Sequence, residues 1–324
     1  MLLEVKDLSI YYYTLSGVVK AVEGVTFSID EKEWVTFVGE SGSGKSTVAS
    51  AIIRLVPPPG KIVSGQIMFE GKDLLKLSEE EMRQIRGKDI SMVFQDPMTS
   101  LDPLRKIGDQ LVEAMTVHGV DEDEAKKRAK ELLEKVNIPP DRFDYYPHQL
   151  SGGQRQRVSI AIAMAFNPKL LIADEPTTAL DVIVQDSIMD LIQSLKEEGT
   201  SIFFVTHDIS LAAERSDKIA VMYAGKLVEF GTVEQIVENP LHPYTQALLN
   251  SVPDLWTEKP VKAIPGYPPD LRNPPRGCRF HPRCHIFAEK GELKGLCDAE
   301  EPMMIEYEKG HFVACHLYGG SRNE

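Results

Sequence analysis

The chain has 324 residues, 42% of them hydrophobic, enough to bury a full core and to build one large domain with an appendage. A balance of 36 Lys+Arg against 49 Asp+Glu gives a net charge of −13, which argues against a general nucleic-acid binder. The longest apolar run, 158–166, stops at Asn167 and Pro168, far short of the roughly 20 residues that span a bilayer. Glu4 and Asp7 stand where a secretion signal needs a cationic stretch and an apolar core, so the expectation is a cytosolic chain with no membrane-crossing segment.

In chain order, Tyr11, Tyr12 and Tyr13 lie in a β-like stretch, and further β-rich segments follow at 34–38, 67–69, 90–94, 170–173 and 201–206. Helix-like patterns alternate with them, which predicts an α/β fold with a largely parallel core sheet. The clearest helix is 122–136. Asp121 caps it, Ala125, Ala129, Leu132, Leu133 and Val136 recur at helical spacing, and Pro139 and Pro140 close it. Its charge run, DEDEAKKRAKE, reads as the solvated face. From Asn239 onward proline becomes dense, so long regular helices are not expected there and a smaller C-terminal module, 239–324, follows a main domain of 1–238.

Three segments carry chemistry. Gly39-Glu40-Ser41-Gly42-Ser43-Gly44-Lys45-Ser46 follows an apolar strand and precedes the helical pattern 47–54, the context a phosphate-binding loop (P-loop) requires. Its glycines let backbone N–H groups wrap phosphates, Lys45 reaches the outer ones, Ser46 ligates magnesium, and Thr47 adds to the cradle. KLLIADE, 169–175, is an apolar strand ending in two acids. It sets Asp174 beside the magnesium and Glu175 where it can deprotonate a water, a pairing that gains weight only beside the loop. The third segment, Leu150-Ser151-Gly152-Gly153-Gln154, is compatible with simple helix-start chemistry, Ser151 being a good cap.

With the phosphate-binding loop upstream and LLIADE downstream, however, Ser151, Gly152, Gly153 and Gln154 resemble the ABC signature. Over about residues 1–235 the chain is identified as similar to the ABC ATPases. The resemblance implies a mostly parallel core sheet with an antiparallel β subdomain and a helical subdomain at about 96–165. It also implies a dimer in which the signature of one subunit closes over ATP held by the other. Gln95 then resembles the Q-loop glutamine, Ala179-Leu180-Asp181 the D-loop and His207 the switch histidine. By spacing, Tyr12 is the expected stacking partner of adenine.

The runs 94–103 (FQDPMTSLDP), around the signature (YPHQLSGGQRQRV) and 239–253 (NPLHPYTQALLNSVP) further resemble the dipeptide/oligopeptide/nickel importer ATPases. That implies an ATP-hydrolysing subunit, peripheral on the cytoplasmic side of the membrane. Its implied partners are two permease subunits docking near Gln95 and 97–119, a second ABC ATPase subunit, either a homologous different chain or a second copy, and, indirectly, an extracellular solute-binding protein. A soluble ABC ATPase acting on ribosomes or nucleic acid, or a redox sensor, is the rival reading.

All four cysteines, Cys278, Cys284, Cys297 and Cys315, fall after residue 277. In a reducing compartment this clustering favours a metal site over disulfides, and four thiolates suit either zinc or a cubane cluster. The importer resemblance points to a 4Fe-4S cluster, with Zn2+ as the alternative; His281, His285, His311 and His316 are expected outside the ligand set.

Overall fold

A computed structural model describes residues 1–95, 100–178, 180–251 and 263–319. The chain forms two compact units, one of residues 1–28, 34–75 and 205–324, the other of 29–33 and 76–204.

The first unit contains an antiparallel sheet in the order β2 (Gly17–Ile29), β1 (Leu3–Thr14), β4 (Gly60–Phe69), β5 (Lys72–Asp73). β1 pairs with β4 from Leu3 opposite Phe69 to Tyr12 opposite Gly60, burying Leu3, Val5 and Ile10 with Ile67 and Phe69. The same unit holds β3 (Trp34–Val38), whose five residues are all buried, the pattern of a strand covered on both faces. β3 runs parallel to β9 (Lys218–Tyr223), and β10 (Lys226–Thr232) pairs antiparallel with β9. On its other edge β10 takes β12 (His311–Val313), which carries β11 (Ile305–Glu308). Helices of this unit include α1 (Lys45–Ile52), α7 (Ile209–Arg215), α8 (Val233–Glu238), α9 (Pro243–Asn250) and α10 (His285–Glu289).

The proline-rich tail has only a small apolar cluster of its own, Leu241, Val313 and Cys315, and packs its larger side chains against β9. Phe280 is 2% exposed and packs edge-on to Tyr223 of β9, with ring centroids 5.1 Å apart. Tyr244, in the first turn of α9, also meets both rings, at 4.6 Å and 5.3 Å. Burying aromatics of this size contributes roughly 1.5–3 kcal/mol each, which ties the tail to β9. Helices in 263–319 are short, the longest described being α10, in line with the proline density.

In the second unit β8 (Ser201–Val205), β7 (Leu170–Asp174) and β6 (Ile90–Val93) lie side by side in that order. β6 and β7 are parallel, with Ile90 opposite Leu170. Among its helices are α2 (Glu79–Ile85), α3 (Ile107–Thr116), α4 (Glu122–Lys135), α5 (Gly152–Ala163) and α6 (Val182–Glu197). α4 forms as its spacing demands: Ala125, Ala129 and Leu133 are buried at every fourth position, and Asp121 accepts from the N–H groups of Asp123 and Glu124 at 3.0 and 3.4 Å. Among the described residues no helix is long and apolar enough to cross a membrane.

Candidate nucleotide-binding and cysteine sites

β3 ends at Val38, and the glycine-rich segment turns directly into α1. Gly39 has φ of +148°, and a Cβ there would collide with the Met222 carbonyl oxygen, so only glycine lets the loop leave the strand this close to β9. Lys45 is buried. Its ammonium donates to the carbonyls of Gly39 at 2.7 Å and Glu40 at 3.1 Å, folding back along the loop. Ser43 is buried, Ser41 and Gly42 are exposed, and Gly44, Ser46 and Thr47 are partly exposed at the helix start, where backbone N–H groups and the helix dipole favour anions. The Tyr12 hydroxyl shares a 3.5 Å hydrogen bond with that of Thr47, so Tyr12 stands beside the loop. Tyr11 instead faces Lys20, 5.9 Å from its ring, and Tyr13 is exposed. His207 is exposed just past β8, next to Asp208, which caps α7 through Ser210 N–H at 2.8 Å.

In the second unit Asp174 is buried at the end of β7 and Glu175 follows it. The Glu175 carboxylate accepts from Gln95 Nε2 at 3.1 Å and from the Thr178 hydroxyl at 3.0 Å. Its backbone has φ of +43°, in the left-handed region that residues with a Cβ rarely occupy. A strained residue whose carboxylate is held by an exposed glutamine is the kind of outlier that marks a working group.

Ser151 begins α5 with a capping box: its Oγ accepts from Gln154 N–H at 3.3 Å, and Gln154 Oε1 accepts from Ser151 N–H at 3.1 Å. Ser151 and Gly152 are exposed. Gly153 is required for close packing, since a Cβ there would lie 2.5 Å from Val184 Cγ1. Asp181 caps α6 through Val184 N–H at 2.9 Å, and the two residues after it, Val182 and Ile183, are 77% and 82% exposed. Ala179, residues 96–99 of the run 94–103, and 252–253 of the run 239–253 lie outside the described residues.

All four cysteines line one cavity of about 20 Å³ in the first unit. Burial pushes the thiols of Cys278 and Cys315 up to about 12 and raises those of Cys284 and Cys297, so without a cation the four are neutral. Among the described residues no three His, Cys, Asp or Glu side chains stand close enough to hold a metal ion in this arrangement. His242 also lines the cavity. Its Nδ1 accepts from Tyr244 N–H at 3.0 Å, so Nε2 carries the proton, and that buried donor has no partner among the described residues. Burial lowers the His242 pKa to about 4 and keeps the ring neutral. Four sulfur donors and one orphan N–H around a shared space fit a thiophilic group by their chemistry. A cavity this size has room for one small ion once the thiols close on it, whereas a polynuclear cluster requires them to spread.

Of the tail histidines, His281 Nδ1 meets the Cys278 carbonyl oxygen at 2.9 Å and His316 Nε2 meets that of Glu300 at 2.8 Å. His311 is fully buried between two carboxylates, Glu229 at 2.9 Å and Glu308 at 3.3 Å. Glu229 also accepts from Leu241 N–H at 2.8 Å and His242 N–H at 2.9 Å, knotting β10, β12 and the start of α9 together. Glu229 carries no local sequence signal, and His242, although inside the run 239–253, is not marked there as a buried polar contact.

The family profile described as "ABC transporter" matches residues 22–178, and that described as "Oligopeptide/dipeptide transporter, C-terminal region" matches residues 228–290. The oligopeptide transport ATP-binding protein OppD of Bacillus subtilis (strain 168) is 52% identical over 323 residues, covering 98% of this chain and 88% of that protein. The chain belongs to the family of oligopeptide and dipeptide ABC transporter ATP-binding proteins. A second member, the dipeptide transport ATP-binding protein DppD of Caldanaerobacter subterraneus subsp. tengcongensis, is 44% identical, with 99% of this chain and 98% of that protein covered. A solved dimeric structure of MJ0796, described as a bacterial ABC transporter cassette, matches with a TM-score of 0.65 at 32% identity, covering 72% of this chain and 99% of that one. The chain is thus an ABC-type ATPase with the cassette fold.

Proposed function

We propose that this subunit powers a membrane importer of di- or oligopeptides, or of a related solute such as nickel or an oligosaccharide, by closing and reopening an ATPase dimer. The observation that carries the reading is near-full-length identity to an oligopeptide transport ATP-binding protein, with the C-terminal region included. In this reading Gly39, Ser41, Gly42, Ser43, Gly44, Lys45, Ser46 and Thr47 hold the triphosphate, and Tyr12 stacks on adenine. Lys45 leaves the carbonyls of Gly39 and Glu40 to take phosphate oxygens. Ser46, Asp174 and Gln95 are the residues that would hold Mg2+, which when bound supplies charge neutralisation for phosphoryl transfer. Glu175 draws the proton from the attacking water, and Gln95 and His207 orient the reacting groups.

Ser151, Gly152, Gly153 and Gln154 complete the site of a second ATPase chain, and Asp181 faces it. The exposed pair Val182 and Ile183 supports an interface there, because adjacent large apolar side chains this exposed favour burial against a partner. Two permease subunits dock near Gln95 and 97–119 on the cytoplasmic side, and a solute-binding protein delivers cargo to them.

For the cysteines we infer a 4Fe-4S cluster held by Cys278, Cys284, Cys297 and Cys315, serving as a staple for a tail with little core of its own. The size of the cavity is the observation that favours the second reading, a single Zn2+. Iron, sulfide and zinc analysis of anaerobically purified protein separates them.

The transport reading is tested by reconstituting the chain with its permease subunits in liposomes. ATP hydrolysis should rise when a peptide-loaded binding protein is added. Association with ribosomal RNA in place of polytopic membrane proteins would overturn the assignment.

A further inference from the structure

The loop between Cys278 and Cys284 contains two arginines, and both side chains reach into the ATPase core. Arg279 binds the Ala224 carbonyl and the Glu23 carboxylate. Arg283, 8% exposed, grips Glu40 with both prongs: Nη1 donates to Oε2 at 2.6 Å and Nη2 to Oε1 at 3.0 Å. Its Nε donates to the Pro265 carbonyl at 2.7 Å, and its guanidinium lies 5.7 Å from the Tyr223 ring. A fork matched to a carboxylate in this way is a directional, charge-assisted contact that lysine cannot reproduce.

Glu40 occupies a position that the phosphate-loop pattern leaves open, yet every polar group of its residue is engaged. Its N–H donates to the Tyr244 hydroxyl at 2.9 Å, and its carbonyl accepts from Lys45 at 3.1 Å. Tyr244 and Arg283 both come from the tail. Arg283 also ends a single helical turn, His281–Arg283, and Cys284 N–H closes it by donating to the His281 carbonyl at 3.2 Å. A shift of the Cys284 backbone therefore moves the root of the fork.

We propose that Arg283 is a positioning residue for the phosphate-binding loop, through which the cysteine module sets the affinity for ATP. The fork holds Glu40 so that the loop carbonyls stay arranged around Lys45. Disturbing the module at Cys284 relaxes that hold. The inference rests on residues 39–46 binding nucleotide, and it is independent of whether the cysteines hold a cluster or zinc. A chain that binds no MgATP fails that nucleotide reading instead.

The test is a set of dissociation constants for MgATP, with KM and kcat, on the full-length protein and its variants. Arg283→Ala and Glu40→Gln should each weaken binding by about 5-fold or more, the lower end of typical coupling between sites. In Arg283→Ala the rise in KM should exceed the change in kcat, and Arg283→Lys should recover part of the loss. Cys284→Ser should weaken binding in the parent chain and add nothing in the Arg283→Ala background, the non-additivity of one shared route. Unchanged ATP affinity in Glu40→Gln, a near-isosteric change that keeps the fold, overturns the positioning role even where Arg283→Ala fails to fold. A Cys284→Ser effect that is absent, or equally large without Arg283, overturns the link to the cysteines.

Discussion

Two glycine-rich segments each open a helix in this chain, and they are held in opposite ways. The segment 39–46 is anchored from far along the sequence, with Glu40 bound to Tyr244 and Arg283 and the Ser43 carbonyl accepting from Gly225 N–H at 2.9 Å. The segment 151–154 is closed by two hydrogen bonds that span three residues, and its first two residues face solvent. A cradle that must exist before the phosphate arrives needs long-range supports, because preorganisation is what makes its N–H groups effective. A surface to be completed by another chain must satisfy its own helix-start donors while staying exposed, and a capping box does that locally.

The largest expected effect concerns Glu175, the general base of the proposed dimer, in which the first segment holds the nucleotide and the second completes the site. Glu175→Gln should keep MgATP binding while kcat falls by about 10²–10⁴-fold, the usual contribution of a general base. Phosphate-release kinetics measure the fall, and gel filtration with ATP should show a persistent dimer; undiminished turnover removes Glu175 from its role. Next in size is Glu229→Ala, which strips a buried carboxylate from His311 and two backbone donors. It should cost about 3–5 kcal/mol in denaturant unfolding, and a normal unfolding midpoint would break the claim that long-range polar knots hold the tail to β10.

Ser151→Ala should lower stability by only about 1 kcal/mol, the usual value of one N-cap. Its turnover should fall much further than such a small change predicts, if the exposed face is what the second chain receives in the proposed dimer. Turnover that stays at the parental rate would mean that the signature segment is merely a helix cap.

The smallest effect is a pH dependence. Burial opposes charging of His311, but its hydrogen bonds and ion pairs to Glu229 and Glu308 prevail and raise its pKa above the ordinary 6.5. A raised folded value means that the protonated ring stabilises the fold. That stability is fully present below the unfolded value and is lost as pH rises through the folded one. Melting temperature should therefore decline over this window more in the parent chain than in His311→Gln, and parallel curves would reject the paired imidazolium.

Much of the site is legible in the sequence because its chemistry demands particular residues at short spacing. Gly39 through Ser46, Asp174-Glu175 and Ser151 through Gln154 are contiguous patterns, and Asp121 with Ala125, Ala129 and Leu133 announces α4 by capping and period. Element ends shift slightly, as in α1, which begins at Lys45 where the helical pattern alone marks residue 47. The clustering of the four cysteines points to their convergence on one cavity. The run NPLHPY marks the start of the tail, but nothing in it points to His242 as a buried donor beside the cysteines, because a single histidine has no periodic partner.

By itself the sequence determined which short segments can wrap phosphate, cap a helix or present acids at a strand end, since those depend on glycine, serine and carboxylates placed within a few residues. Only the tertiary structure decided what supports them. Arg283 meets Glu40 across 243 positions, and Glu229 meets His311 across 82 while also taking the N–H groups of Leu241 and His242. Charged pairs this distant leave no local trace, because their partners are chosen by how strands and tail pack and by the need to satisfy every buried charge.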